Sequence, residues 1–100
     1  MAKIIWAEPA LKDLEGIYDY IARDSHLFAR HQIEEIFKAV ERLVQFPKSG
    51  RRLPEFPDLP YREIIVKNYR VVYRFDEELN QIIIISIIHS SRLLKRIENT

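Results

Sequence analysis

Tyr61-Arg-Glu-Ile-Ile-Val-Lys-Asn-Tyr-Arg-Val-Val-Tyr-Arg-Phe75 reads as two strands around a two-residue turn at Lys67-Asn68. That turn pairs Val66 with Tyr69, Ile65 with Arg70, Glu63 with Val72 and Tyr61 with Arg74. Side chains alternate faces along each strand. One face therefore carries Ile64, Val66, Tyr69, Val71, Tyr73 and Phe75, with Arg62 toward its end, and reads as core. The other carries Tyr61, Glu63, Ile65, Arg70, Val72 and Arg74, and is expected to stay partly open. Two guanidiniums diagonal to one carboxylate on that face suit an anionic ligand such as phosphate.

Two helices are legible upstream. After a short apolar strand over residues 2–7, expected to be buried on both faces, Pro9 stands where a first helical turn tolerates it. Leu11, Leu14, Ile17, Tyr18, Ile21 and Ala22 form one helical stripe. Asp24-Ser25 supply a stop and an N-cap. Ala29, Ile33, Ile36, Phe37, Val40, Leu43 and Val44 continue the period until Pro47 and Gly50. Residues 47–60 hold four of the five prolines and read as an irregular loop. The nearly continuous β-branched run from Gln81 to Ile88, broken by Ser86, reads as a central strand covered on both faces, with the first strand on its free side. Leu93, Leu94 and Ile97 suggest a short final helix or an element completed by a partner. The expected fold is α+β: a single domain over residues 1–100, with a helical hairpin on one face of a small, mainly antiparallel sheet.

Composition limits the chemistry. There is no cysteine, hence no disulfide framework or thiolate metal site, and a reducing cytoplasm is the expected setting. No apolar run is long enough to span a bilayer. No glycine-rich phosphate loop or glycine-flanked nucleophile is present, so no cofactor and no metal are expected. Net charge is only +1, but residues 48–74 hold seven basic residues against three acidic ones. A local field of that sign suits nucleic acid or an acidic protein. Any one of Lys48, Arg51, Arg52, Lys67, Arg74 and Arg92 reads best as ordinary surface charge. As a group they read as candidate phosphate contacts.

Several segments together resemble the RelE/ParE toxins of type II toxin–antitoxin modules. They are Trp6 closing the first strand, Ala10-Leu-Lys-Asp-Leu14, Tyr18-Asp-Tyr-Ile-Ala22, and Phe46-Pro47 followed by Gly50-Arg51. Tyr61–Val66, Asn68–Arg74, and an apolar strand ending at His89 with Arg92 beyond complete the set. The resemblance covers nearly the whole chain. It implies a toxin silenced by an antitoxin that wraps around it, with the helical hairpin's groove and the apolar tail as docking surfaces.

Members of this superfamily follow two activities on one scaffold, and fold does not choose between them. RelE- and YoeB-like members cleave mRNA on the ribosome. ParE-like members poison DNA gyrase by binding. Metal-free RNA cleavage needs a base, cations on the phosphoryl oxygens and an acid. The resemblance to the YoeB-like pattern puts Glu55 as base, Arg70 as the phosphate-binding arginine and His89 as assisting acid/base group, all expected on one open face. The plainer readings are an Arg70–Glu63 ion pair, a solvated Glu55 and a hydrogen-bonded strand-end His89. Tyr61 is the candidate for stacking a base. The leading expectation is thus a ribosome-dependent mRNA endonuclease. The alternatives are a gyrase inhibitor and a decayed toxin that only binds antitoxin.

Overall fold

The computed structural model describes residues 1–94. The elements are β1 (Lys3–Trp6), α1 (Glu8–Ala22), α2 (His26–Arg42), β2 (Arg51–Arg52), β3 (Tyr61–Val66), β4 (Tyr69–Asp76) and β5 (Gln81–His89). The sheet order is β1-β5-β4-β3-β2. β1 runs parallel to β5, and the other pairs are antiparallel. The long connection a parallel pair requires is the helical hairpin itself. The fold is α+β, two helices packed on a five-stranded mixed sheet.

The helices start where their sequences allow. Pro9 sits in the first turn of α1, where its missing N–H leaves no bond unmade. The Ser25 side chain accepts from the Phe28 N–H at 3.1 Å and caps α2. Ala10, Leu14, Ile36, Ala39, Val40 and Leu43 are the helical contribution to the main core. Leu11, expected on the buried stripe of α1, is half exposed, and the small Ala10 takes its place against the sheet.

The β3–β4 hairpin has the expected register throughout, from Tyr61 opposite Arg74 to Val66 opposite Tyr69. Lys67 takes the positive φ, 57°, that the tight turn demands. Ile64, Val66, Tyr69, Val71, Tyr73 and Phe75 all face the helices.

Four expectations are corrected. The first strand is a half-buried edge strand, because only β5 pairs with it. The loop after α2 is not wholly irregular: Arg51 and Arg52 pair with Glu63 and Arg62 as an edge strand. No helix begins in the tail up to Leu94; Ile97 and the rest of the suggested helix lie outside the described residues. Finally, the second sheet face is not open at its centre. Leu53, Val72, Ile83 and Ile85 form a second buried cluster there, flanked by Ile5, Phe56, Tyr61 and Leu94.

Alternation lets β5 serve both clusters, and a bulge decides the faces of its last residues. Val72 pairs with Ser86 but Tyr73 with Ile84, so Ile85 has no partner. One extra residue reverses the alternation of everything after it. Ile82, Ile84 and then Ile87 face the helices, while Ile83 and Ile85 face away.

The Phe46–Arg51 loop is pinned by Tyr73, which is wholly buried. Its hydroxyl accepts from the Gly50 N–H at 2.9 Å and donates to the Pro47 carbonyl at 2.8 Å. A Cβ at Gly50 would stand 2.7 Å from the Glu63 carbonyl oxygen and from the Tyr73 ring and hydroxyl. Neither neighbour can swing aside. Gly50→Ala should therefore cost about 1–3 kcal/mol through overpacking, read as a lower midpoint in urea unfolding at unchanged slope.

Candidate functional site

Arg70 projects from β4 onto the face away from the helices, and its side chain is only 6% exposed. A buried guanidinium must find partners for its donors. Nε donates to Glu63 Oε1 at 2.5 Å. Nη1 and Nη2 donate to the two oxygens of Glu55 at 2.6 and 2.7 Å, a bidentate fork. Nη1 also donates to the Arg92 carbonyl at 2.9 Å. Four of the five N–H groups a guanidinium carries are thereby engaged.

Each partner is itself held. Glu63 on β3 is fully buried; its second oxygen accepts from Arg51 Nε at 2.6 Å, and Arg51 Nη2 lies 2.6 Å from the same oxygen. Glu55, in the proline-flanked loop, also accepts from the Leu94 N–H at 2.8 Å. The result is a chain Arg51–Glu63–Arg70–Glu55 that ties β2, β3, β4, the loop and the tail together. The Arg70 bonds hold the Glu55 carboxyl well below its usual 4.5, at about 2. In return the Glu55 bonds, then Glu63, raise the Arg70 pKa, so its charge is permanent.

The expected convergence of Arg70, Glu55 and His89 on one open face does not occur. Arg70 and Glu55 meet, but beneath a cover. His89 pairs with Tyr69, the neighbour of Arg70 that faces the helices, and their rings lie edge-to-face at 5.7 Å. Plain alternation from Ile83 and Ile85 would put His89 on the Arg70 face; the bulge at Ile85 moves it to the other. The His89 Nδ1 accepts from the Ser91 N–H at 3.2 Å and lies 2.7 Å from the Ser91 hydroxyl.

The basic residues are scattered in the same way. Lys48 pairs with Glu77 at 2.6 Å, and Arg74 lies 3.9 Å from Asp76. Arg52 donates to the Leu59 carbonyl at 2.7 Å. Tyr61 packs against the second cluster. Lys67 and Arg92 line a separate cleft of about 1170 Å³ between the helical hairpin and the end of the sheet.

The hairpin's groove is an expected docking surface, but the sheet-end residues that close it into a cleft carry no such signal in the sequence. Lys12, Gly16, Tyr20, Phe28 and His31 from the hairpin face Lys67, Tyr69, His89 and Arg92 from the sheet end. Tyr20 and Phe28 are 67% and 69% exposed. Outside its chain neighbours and its own helix backbone, no described atom lies within 4 Å of where a Cβ on Gly16 would stand. Gln32 also lines the cleft, and its buried Nε2 finds no acceptor among the described residues. Deeper in, Asp13 accepts from the Ile87 N–H at 2.9 Å, where β1 has ended and β5 is left without a partner on that edge. Burial, partly offset by that bond, raises the Asp13 pKa. Helical periodicity marks the hairpin's apolar stripe, but no local signal tells that its end overhangs the sheet. Among the described residues no group of three or more His, Cys, Asp or Glu could hold a metal ion. No described helix is long and apolar enough to cross a membrane.

Two outcomes follow for the buried network. Arg70→Ala strands Glu63 and Glu55, and should lower stability by about 3 kcal/mol in denaturant unfolding. Glu55 has a depressed pKa, so its contribution is complete above pH 4.5 and is lost as the pH falls through about 2. Wild-type stability should therefore fall across that window, and Glu55→Gln should flatten the profile there.

Comparison with known proteins agrees with this architecture. Residues 4–94 match the family model described as ParE toxin of type II toxin-antitoxin system, parDE. Toxin RelE2 of Caulobacter vibrioides is 32% identical over 94 residues, covering 93% of this chain and all of the relative. Among solved structures, the chromosomal ParDE system of P. aeruginosa superposes with a TM-score of 0.72 at 24% identity, over 89% of this chain and 96% of that one. The isolated RelE toxin of E. coli superposes at 0.65 with 20% identity, over 93% and 88%. The intact E. coli RelBE toxin–antitoxin complex matches at 0.61 with 19% identity, over 92% and 100%. The chain belongs to the ParE toxin family of type II toxin–antitoxin systems, within the RelE/ParE superfamily.

Proposed function

We propose that this toxin acts by binding, as a ParE-like inhibitor of DNA gyrase, and that an antitoxin silences it. One observation carries the reading. The arginine that an RNA-cutting site would aim at a phosphate is buried, with four donors already engaged by two carboxylates and a carbonyl. A phosphate would have to displace Glu55 from a bidentate, charge-assisted pair.

Two further features support binding over catalysis. A carboxyl held at about 2 is a weak base near neutral pH. His89, the candidate acid, lies on the other side of the sheet. The cleft between hairpin and sheet, by contrast, has what a protein partner needs. It has exposed aromatics, cations from Lys12, Lys67 and Arg92, and a Gln32 donor, without an acceptor among the described residues, that a partner's carbonyl would satisfy. The antitoxin would enter there with an acidic amphipathic segment.

Ribosome-dependent mRNA cleavage is the second reading. In its favour, a carboxylate and a guanidinium already share one place at Glu55 and Arg70. Under it those two residues, with His89, would be catalytic. Lys48, Arg51, Arg52, Tyr61, Lys67, Arg74 and Arg92 would contact RNA.

Purified toxin should be added to gyrase in a supercoiling assay and, separately, to translating ribosomes read by primer extension. Binding predicts loss of supercoiling and no new mRNA 5′ ends. New 5′ ends with gyrase unaffected would reverse the assignment. Silence in both assays would leave a decayed toxin that only binds antitoxin.

A further inference from the structure

β5 ends at His89, and the chain then crosses from the cleft side of the sheet to the Arg70 side within five residues. At the near end, local bonds shape it. The Ser90 N–H donates to the Asn68 carbonyl at 2.7 Å, and the Arg92 N–H to the His89 carbonyl at 3.0 Å. At the far end only two hydrogen bonds beyond the segment hold it, among the described residues. Both run to one ion pair: the Arg92 carbonyl accepts from Arg70 at 2.9 Å, and the Leu94 N–H donates to Glu55 at 2.8 Å. Leu94 then packs on Leu53, Val72, Ile83 and Ile85, while Leu93 beside it is 77% exposed.

Both bonds engage an ionised group, so both are of the stronger, charge-assisted kind. They also share a condition, since each partner is oriented by the other. A group that draws Arg70 away from Glu55 weakens both at once. The same segment supplies part of the cleft wall through His89, Ser91 and Arg92. Its two ends thus belong to two different faces of the molecule.

We propose that His89–Leu94 is a strap latched by the Arg70–Glu55 pair, and that unlatching it both uncovers the second apolar cluster and loosens the wall of the cleft. Contact across the whole sheet is not needed for the two faces to communicate; six residues of backbone connect them. An oxyanion competing with Glu55 for the guanidinium would act as the release on one side. A partner gripping Arg92 or Ser91 in the cleft would act from the other. The strap concerns the molecule's own geometry and holds for either target named above.

Amide hydrogen exchange on the full chain, followed by NMR, tests the latch. In the wild type the Leu94 N–H should be protected. In Glu55→Gln its exchange should quicken by about tenfold or more, while the Val72 and Ile84 amides of the sheet keep their wild-type rates. Leu94→Pro removes the donor but keeps both charges, and serves if Glu55→Gln loosens the whole core. Freeing that end should shift the His89 and Ser91 resonances on the cleft side. Unchanged Leu94 exchange in a folded Glu55→Gln protein would overturn the latch. Unmoved His89 and Ser91 signals in Leu94→Pro would overturn the coupling between faces.

Discussion

A guanidinium cannot be buried alone, and the lower half of this molecule is organised around that constraint. Arg70 lies between Glu63 and Glu55, and Glu63 in turn requires Arg51. Satisfying one charge recruits the edge strand, the proline-flanked loop and the tail. Each recruited element then covers the others. The loop brings Leu53 and Phe56, and the tail brings Leu94, over Val72, Ile83 and Ile85. A polar demand at one residue thereby closes an apolar cluster around it.

The upper half follows a simpler rule. The helical hairpin offers one apolar stripe, and the sheet offers one apolar face, rich in isoleucine, valine and tyrosine. Burial of that area is roughly proportional to the stabilisation it provides, and needs no fixed angles. Directional bonds enter only where the packing leaves backbone groups unpaired. Asp13 accepts from Ile87 where β5 has outrun β1, and Tyr73 serves both Gly50 and Pro47 where the loop turns under the sheet. The two halves thus differ in kind: one is held by area, the other by a chain of charges.

This division bears on activity. Toxins of this superfamily are implied to act either by chemistry or by contact, and the two demand different things of Arg70. Chemistry requires a guanidinium free to meet a phosphate. Contact requires only a well-held scaffold with an accessible surface elsewhere. Here the guanidinium is spent on the scaffold. The accessible surface, with Tyr20, Phe28 and a Gln32 Nε2 that has no acceptor among the described residues, lies across the sheet from it. The tail touches both: Ser91 and Arg92 line the cleft, and Arg92 and Leu94 bond the Arg70–Glu55 pair.

Local sequence determined a great deal of this protein. Alternation along Tyr61–Phe75 with a two-residue turn specified the hairpin register residue by residue. Helical periodicity and Ser25 specified the hairpin of helices. These are short-range properties, decided by backbone geometry within a few residues. Glu63 as partner of Arg70 was also legible, because cross-strand neighbours share a face. What only the tertiary structure decided depends on contacts between distant segments. No pattern in Pro54–Pro60 tells that the loop folds back to bring Glu55 onto Arg70. No alternation in Gln81–His89 marks Ile85 as the unpaired residue, since isoleucine fills every position from 82 to 85 and either sheet face would accept it. That one insertion turned His89 away from Arg70 and divided the expected single site between two faces of the sheet.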